Sequence, residues 1–570
     1  MMLPLSRLIE TTLKRFHSLG ETGILDPESE RNGYANPRFQ EACLTLALAV
    51  EEELGLPEDA KIAMVEAAAI RAMDQWFRMT ERSGGIRCSK DGLIDPQATA
   101  YGLFATARTM TLLGDRAPNT VRIHAQKAMK RSANFLRKST VPPGLETRPL
   151  RAAALNAAGK WLGDNKILQV AANVRTDALK KLGEKFLSAS PDALDFASLS
   201  LSLAYLTLTA DQPTEAELDI WRKIGRYAYS STMSNGLSGG GAESTVASLP
   251  ISLGFSLAAE ASPEAAAVSR IIEQGWKNDW FNPMLDPDVP WLTPIGYLSL
   301  IDRTRRPEHR KLSRLGDNAE MKLGVDSNGA GRISVDEWCL RLGRGGTVGW
   351  LYHKPSQSTR VFGSPAGLAL REGPWIIEGT RLRHPGYAGK YNVTENEIVT
   401  IEGHIHSVPI PGTERSPRRI GQPDWHDREA LVGTRLAPPP RKSSPRSSGA
   451  IRYTRKIEIK DGALAIETIM KGQILHRIPI IWIGGHAGEI QVDKTTIAPG
   501  YAVQERRVRE MVFSGGPWPD WTLRFDRPVD ILYEPIHTSL TSGPLRYLSA
   551  ATGTLDVVTE DRLHMAWRVV

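Results

Sequence analysis

The chain changes its hydrophobic period once, near residue 305, and that change constrains the fold more than any single motif does. Before it, apolar residues recur every three or four positions, the spacing of a helix that buries one face; after it, short runs alternate with period two between Gly and Pro. The two patterns bury different faces of the backbone and cannot share one layer, so two cores are expected, and 570 residues suffice for both. The pattern predicts a helical domain over 1–305, a linker over 306–330 and a strand domain over 331–570.

In the first half the spacing predicts twelve helices, at 3–18, 36–54, 58–79, 96–113, 120–138, 148–162, 166–187, 192–208, 214–230, 243–260, 263–278 and 293–302. Asn36 before Pro37 and Asp95 before Pro96 place a capping side chain ahead of a proline at the first helical position. Links after even-numbered helices are short, whereas 19–35, 80–95, 139–147, 231–242 and 279–292 are long. If successive helices pack antiparallel, the long links gather at one end. Helical hairpins in a ring with long loops at one mouth describe an (α/α) toroid of about six hairpins; a solenoid of stacked pairs is the alternative, but no fixed-period repeat appears.

The second half predicts more than ten strands, the clearest at 338–343, 346–353, 365–379, 396–403, 452–470 and 477–485. The KDG turn at 460–462 marks a hairpin, and a further hairpin is expected within 554–570. Residues 411–450, rich in Pro, Ser and Arg, read as a long surface loop. The fold class is therefore an α+β multidomain protein, a helical toroid followed by a C-terminal antiparallel β-sandwich.

Charge follows the same boundary. Residues 1–300 carry 32 Lys+Arg against 34 Asp+Glu, so the formal net charge of +7 belongs to the remainder, which also holds ten of the twelve histidines. The three cysteines, Cys43, Cys88 and Cys339, form no CxxC pattern, which argues against a disulfide framework or a cysteine zinc site. No stretch of roughly 18 apolar residues is present, and no helix-turn-helix, zinc or RNA-recognition signature, so neither a membrane nor a nucleic acid is the expected partner. The N-terminus has no secretory pattern, which reads as cytoplasmic, or as secreted or periplasmic if a leader has been removed.

The segment GPWIIEGTRLRHPGYAGKYNVTENEIVTIEG at 373–403 resembles the heparinase II/III-like polysaccharide lyases, and the two-domain plan is similar also to alginate and chondroitin lyases. Those proteins carry an apolar strand, a D-P-G-T corner, an aromatic and arginine-bearing loop, then H-N-T and a strand ending in Asp-Gly. Here Glu378, Gly379 and Thr380 stand at the corner, Asn396 follows the histidine position, Glu402 and Gly403 end the strand, and Arg455 matches the arginine of a later hairpin. Glu395 replaces the H-N-T histidine, and the upstream H-x-H-x-D pattern is missing from 353–362. The resemblance implies a lyase whose structural metal site is lost or altered; no cofactor is expected, with His353, Glu378 and Glu395 the remaining set for a divalent ion.

A lyase of this kind cleaves beside a uronic acid by β-elimination, which needs a neutralised carboxylate and a group that takes the C5 proton. The run 381–391, read as a loop between strands, offers Tyr387, Tyr391 and His384 for proton transfer and Arg381 and Arg383 for the carboxylate. His404 and His406 alternate onto one face of a strand and join the catalytic candidates. On the helical rim the binding candidates are Arg87, Tyr101 (expected to point into the mouth), Asn235, Glu243, Trp280 and Trp291. The expected partner is an acidic polysaccharide or oligosaccharide held between the two domains. Rim carboxylates such as Glu243 with Asp95, Asp279 or Asp286 leave open an inverting glycoside hydrolase, and a non-catalytic carbohydrate-binding relative is the third reading.

Overall fold

The computed structural model describes residues 9–10, 12–14, 23–26, 29–53, 61–140, 146–188, 196–209, 213–232, 252–259, 261–277, 293–305, 324–325, 331–335, 337–342, 348–353, 355, 358–363, 376–378, 381–393, 399–409, 451–471, 478–484, 489–497, 504–514, 520–537, 547–555 and 560–569. They fall into two compact units, one holding the helices and the other strands β3–β19, defined below.

The helices are α1 (Ala42–Glu51), α2 (Ile62–Met79), α3 (Pro96–Leu113), α4 (Asn119–Lys138), α5 (Thr147–Leu162), α6 (Asn165–Ser188), α7 (Phe196–Leu208), α8 (Glu215–Ser231), α9 (Leu253–Ala258), α10 (Pro263–Lys277) and α11 (Thr293–Arg305). A 3-10 turn, Pro37–Glu41, leads into α1, so the segment read as one helix from residue 36 opens in a tighter coil, with the Asn36 side chain accepting from the Arg38 amide. Asp95 caps α3 by accepting from the amides of Gln97 and Ala98 at 2.7 and 3.1 Å. Of the helix expected over 243–260, Leu253–Ala258 lies within the described residues.

Helix composition separates an inner layer from an outer one. In α1, residues 42–50 are all buried, and α3 is buried on nearly every side, as expected of helices apolar all round. By contrast, α2, α4, α8 and α10 are amphipathic, with charged faces turned outward. Hydroxyls inside α3 bond back to its own backbone: Thr106 donates to the Gly102 carbonyl at 2.7 Å and Thr109 to Ala105 at 2.9 Å. The last helix, α11, packs on α1, so the end of the unit returns to its beginning. Close packing has a specific requirement at Gly102, where a Cβ would lie 2.0 Å from Trp76 Nε1.

A short hairpin, β1 (Ile86–Arg87) and β2 (Ile94–Asp95), precedes α3. The second unit comprises β3 (Gly324–Val325), β4 (Gly331–Val335), β5 (Trp338–Leu342), β6 (Val348–His353), β7 (Ser358–Gly363), β8 (Ile376–Glu378), β9 (Arg381–Val393), β10 (Val399–Pro409), β11 (Ile451–Lys460), β12 (Ala463–Lys471), β13 (Ile478–Gly484), β14 (Glu489–Val492), β15 (Thr495–Ile497), β16 (Gln504–Ser514), β17 (Trp521–His537), β18 (Tyr547–Leu555) and β19 (Glu560–Val569). One run of antiparallel pairs is β8-β9-β10-β11-β12-β19, and another is β3-β4-β5-β6-β7-β13-β18. The long β17 joins them, its first part pairing with β19 and its last part with β18.

Three expectations change here. Residues 381–391 are strand, not loop, because β9 is hydrogen-bonded to β10 along its length and to β8 at its start. Residues 324–325, inside the expected linker, form β3 and pair with β4. The C-terminal strands do not make the expected hairpin: Thr554 of β18 is flanked by Pro479 and Asp530, and Trp567 of β19 by Leu464 and Leu523, so both edges of each are taken. The KDG hairpin forms as read, with Asp461 and Gly462 at φ 54 and 70, the left-handed pair that a two-residue turn needs. Trp338, Trp521 and Trp567 build the centre of this unit, with rings 5.3 and 6.2 Å apart at steep angles.

Candidate active site

The ladder β9-β10-β11 settles which candidate residues share a face. Tyr387 lies across from Ile405 and Tyr391 across from Ile401, whereas His404 lies across from Ala388, His406 from Gly386, and His384 from Val408. Directly opposed residues of an antiparallel pair occupy the same face. His384, His404 and His406 therefore hold one face, and Arg381, Arg383, Tyr387 and Tyr391 the other. The five proton-transfer candidates do not form one group.

The next strand shows which face is which. His404 is flanked on β11 by Arg452, which is exposed, and Glu402, also exposed, lies beside Thr454. The other face carries Arg455 and Ile457, both buried, whose partners on β12 are the buried Thr468 and Ile466. Tyr391 thus belongs to the row Tyr391-Ile401-Arg455-Thr468, which runs into the core. Arg455, the arginine singled out by the motif, donates from Nε to Thr468 Oγ1 at 3.2 Å and has a structural setting. The histidine face is a polar one: further along it, Glu467 takes Arg562 and His564 at 3.3 Å each. The strand positions opposite His404 and His406 are Ala388 and Gly386, the two smallest residue types.

In the helical unit the structure reveals a buried polar centre that sequence reasoning missed. Arg38 pairs with Glu41 through two hydrogen bonds, its Nε to Oε1 and its Nη2 to Oε2 at 3.3 Å, and Glu41 is fully buried. The Arg38 guanidinium also lies 4.1 Å over the ring centre of Tyr101. Tyr101 meets Tyr205 edge to face, and the Tyr205 and Tyr297 hydroxyls are 2.8 Å apart. Burial pushes Glu41 up to about 7 against the opposing pull of Arg38, and burial likewise raises Tyr101, Tyr205 and Tyr297. The signal in the sequence was a pair of charges three residues apart at the head of the apolar run EACLTLALAV.

Tyr101 is only 4% exposed and capped by Arg38, so it does not open into a mouth; α3 is an inner helix and its side chains meet other helices. Arg87 is held by Glu81 at 2.6 Å and by the Gly92 carbonyl at 2.8 Å, and its own carbonyl accepts from Tyr34, so it braces the 86–95 hairpin. Asp95 is committed as the α3 cap, which removes it from the acids available to a hydrolase. Asn235, Glu243, Trp280, Trp291, Asp279, Asp286, Glu395, Asn396 and the 411–450 segment lie outside the described residues. Of the divalent set, Glu378 ends β8 opposite Arg381, and His353 Nε2 lies 3.6 Å from Glu337; among the described residues no three His, Cys, Asp or Glu are placed to hold a metal.

Polysaccharide lyases are among the structural neighbours of this chain. A Paenibacillus xanthan lyase aligns with a TM-score of 0.47 at 10% identity, over 99% of this chain and 56% of its own. A Streptomyces coelicolor A3 chondroitin AC lyase aligns at 0.45 and 10% identity, over 99% and 79%, and a heparinase III at 0.39 and 10%, over 99% and 84%. The chain spans just over half the length of the xanthan lyase. No protein-family model and no curated protein sequence matches it.

Proposed function

We propose that the protein is a polysaccharide lyase that cleaves a uronate-containing chain by β-elimination, with the histidine face of β9-β10-β11 as its proton-transfer surface. The observation that carries this reading is the register: His404 and His406 stand two residues apart on β10, opposite the small residues Ala388 and Gly386, and the exposed Arg452 flanks His404. Support also comes from the element order, helices then antiparallel strands, and from the motif resemblance at 373–403.

In this reading Arg452 pairs with the uronate carboxylate, which makes the C5 proton acidic enough to leave. A neutral histidine, His404 or His406, takes that proton; the electron pair forms the C4–C5 double bond as the C4–O bond breaks, and the departing oxygen receives a proton from the second histidine or from water. Tyr387 and Tyr391 are on the wrong face to share in the transfer. The helical unit is proposed as a toroid of hairpins. Incubation with a panel of uronate polysaccharides tests the reading: ultraviolet absorbance from an unsaturated uronyl product is expected, and new reducing ends without it would turn the assignment to hydrolysis.

A further inference from the structure

Helix α4 contains no Asp or Glu, yet it carries Arg122, Lys127, Lys130, Arg131, Arg137 and Lys138. The rest of residues 1–300 carries 26 Lys+Arg against 34 Asp+Glu, so this is a local concentration in an otherwise acidic half. Its apolar side is fully used: Val121, Ala125, Ala128, Met129, Ser132, Ala133 and Leu136 are buried. At 100° per residue the cations from Lys127 onward fall together on the opposite arc, and all five are exposed.

Counter-charges stop partway along the helix. Arg122 pairs with Asp115 at 2.8 Å and His124 with Asp74 at 3.0 Å, but Lys127, Lys130, Arg131, Arg137 and Lys138 have no acidic partner among the described residues. A sixth cation joins them. A Cβ on Gly84 (φ +94) would lie 2.3 Å from the Arg131 carbonyl oxygen, so only glycine lets the 81–84 turn seat on α4, and the exposed Arg82 stands in that turn. From Lys127 to Lys138 the stripe runs about 16 Å along the axis at ~1.5 Å per residue. An ordinary solvated helix face mixes both signs at i, i+4 spacing; here like charges lie at that spacing and repel, a cost that a bound polyanion removes.

We infer that this stripe, carried by the helical unit, is a docking surface for a linear polyanionic polysaccharide. The choice of polysaccharide rests on the lyase reading above; the polyanion itself follows from the charge pattern. Helix α4 carries no Tyr or Trp on which nucleobases would stack, and its two other rings are engaged, Phe135 against Gly85 and His124 with Asp74, which favours a sugar polyanion over single-stranded nucleic acid.

The test is binding, independent of any turnover. Fluorescein-labelled heparin is titrated against the full chain and against the variant Lys127→Ser/Lys130→Ser/Arg131→Ser/Lys138→Ser, with circular dichroism to check that both are folded. The substituted side chains are exposed, so folding is expected to be retained. The native chain should bind, and the variant should bind roughly ten- to hundredfold more weakly, as loss of four exposed ion pairs predicts. The slope of log affinity against log salt should become shallower by about two to four. Undiminished binding by the folded variant, or no binding by the native chain, overturns the docking surface. Equal affinity for single-stranded DNA of matched charge overturns the polysaccharide assignment. A chain that binds heparin through the stripe but yields no unsaturated product disproves the lyase reading alone.

Discussion

Tyr387 and His404 stand on opposite faces of the β9-β10 ladder, because Tyr387 is across from Ile405 and His404 is across from Ala388. Substitutions on the two faces are therefore expected to separate. Under the lyase reading, His404→Ala and Arg452→Ala should each lower kcat/KM by about a hundredfold or more, the scale of a lost acid–base or charge-stabilising group. Tyr387→Phe should leave turnover within a few-fold. A Tyr387→Phe variant as dead as His404→Ala would show that the register argument picks the wrong face.

The Glu41 carboxyl makes stability fall as pH rises. Burial raises it to about 7 from an ordinary 4.5, so between those values the folded state holds a proton that the unfolded chain releases. The stabilisation is complete below about 4.5 and is lost as pH climbs through about 7. Glu41→Gln should flatten that slope, read from denaturant midpoints at pH 5 and pH 8. An unchanged slope in the variant would place the titration elsewhere.

The Tyr205 and Tyr297 hydroxyls satisfy each other in a place where water does not reach. Tyr205→Phe or Tyr297→Phe alone should cost about 1–3 kcal/mol, since each strands the other hydroxyl. The double variant should cost less than the two singles added, and a thermodynamic cycle on urea midpoints measures that coupling.

Gly102 is set by contact rather than by backbone angle, with Trp76 against it. Gly102→Ala should destabilise by roughly 1–3 kcal/mol or more from overpacking, despite alanine being the better helix former. A rise in melting temperature on this substitution would contradict the packing described for α2 and α3.

Local features were readable from the residues alone. The helix at 96–113 begins where Asp95-Pro96 predicts, and the KDG turn forms the hairpin its residues require, because caps and tight turns are decided within four or five residues. The basic run RLRHPGYAGKY reads as loop because Pro385, Gly386 and Gly389 punctuate it, yet β8 and β10 hold it extended from both sides. Nothing in the local pattern marks Arg38 and Glu41 as a core pair; Glu41 is fully buried and Arg38 largely so because α1, α2, α3 and α11 converge on the turn that carries them.

The sequence by itself determined the two cores, most helix spans, the capping residues and the alternation that puts His404 and His406 on one face. Only the tertiary structure decided that His384 shares that face while Tyr387 does not, and that Thr554 and Trp567 lie in strands whose edges are filled by other partners. The reason is physical. Periodicity is a property of one segment, but register belongs to two strands distant in sequence, and a slip of one residue carries every side chain of a strand to the opposite face.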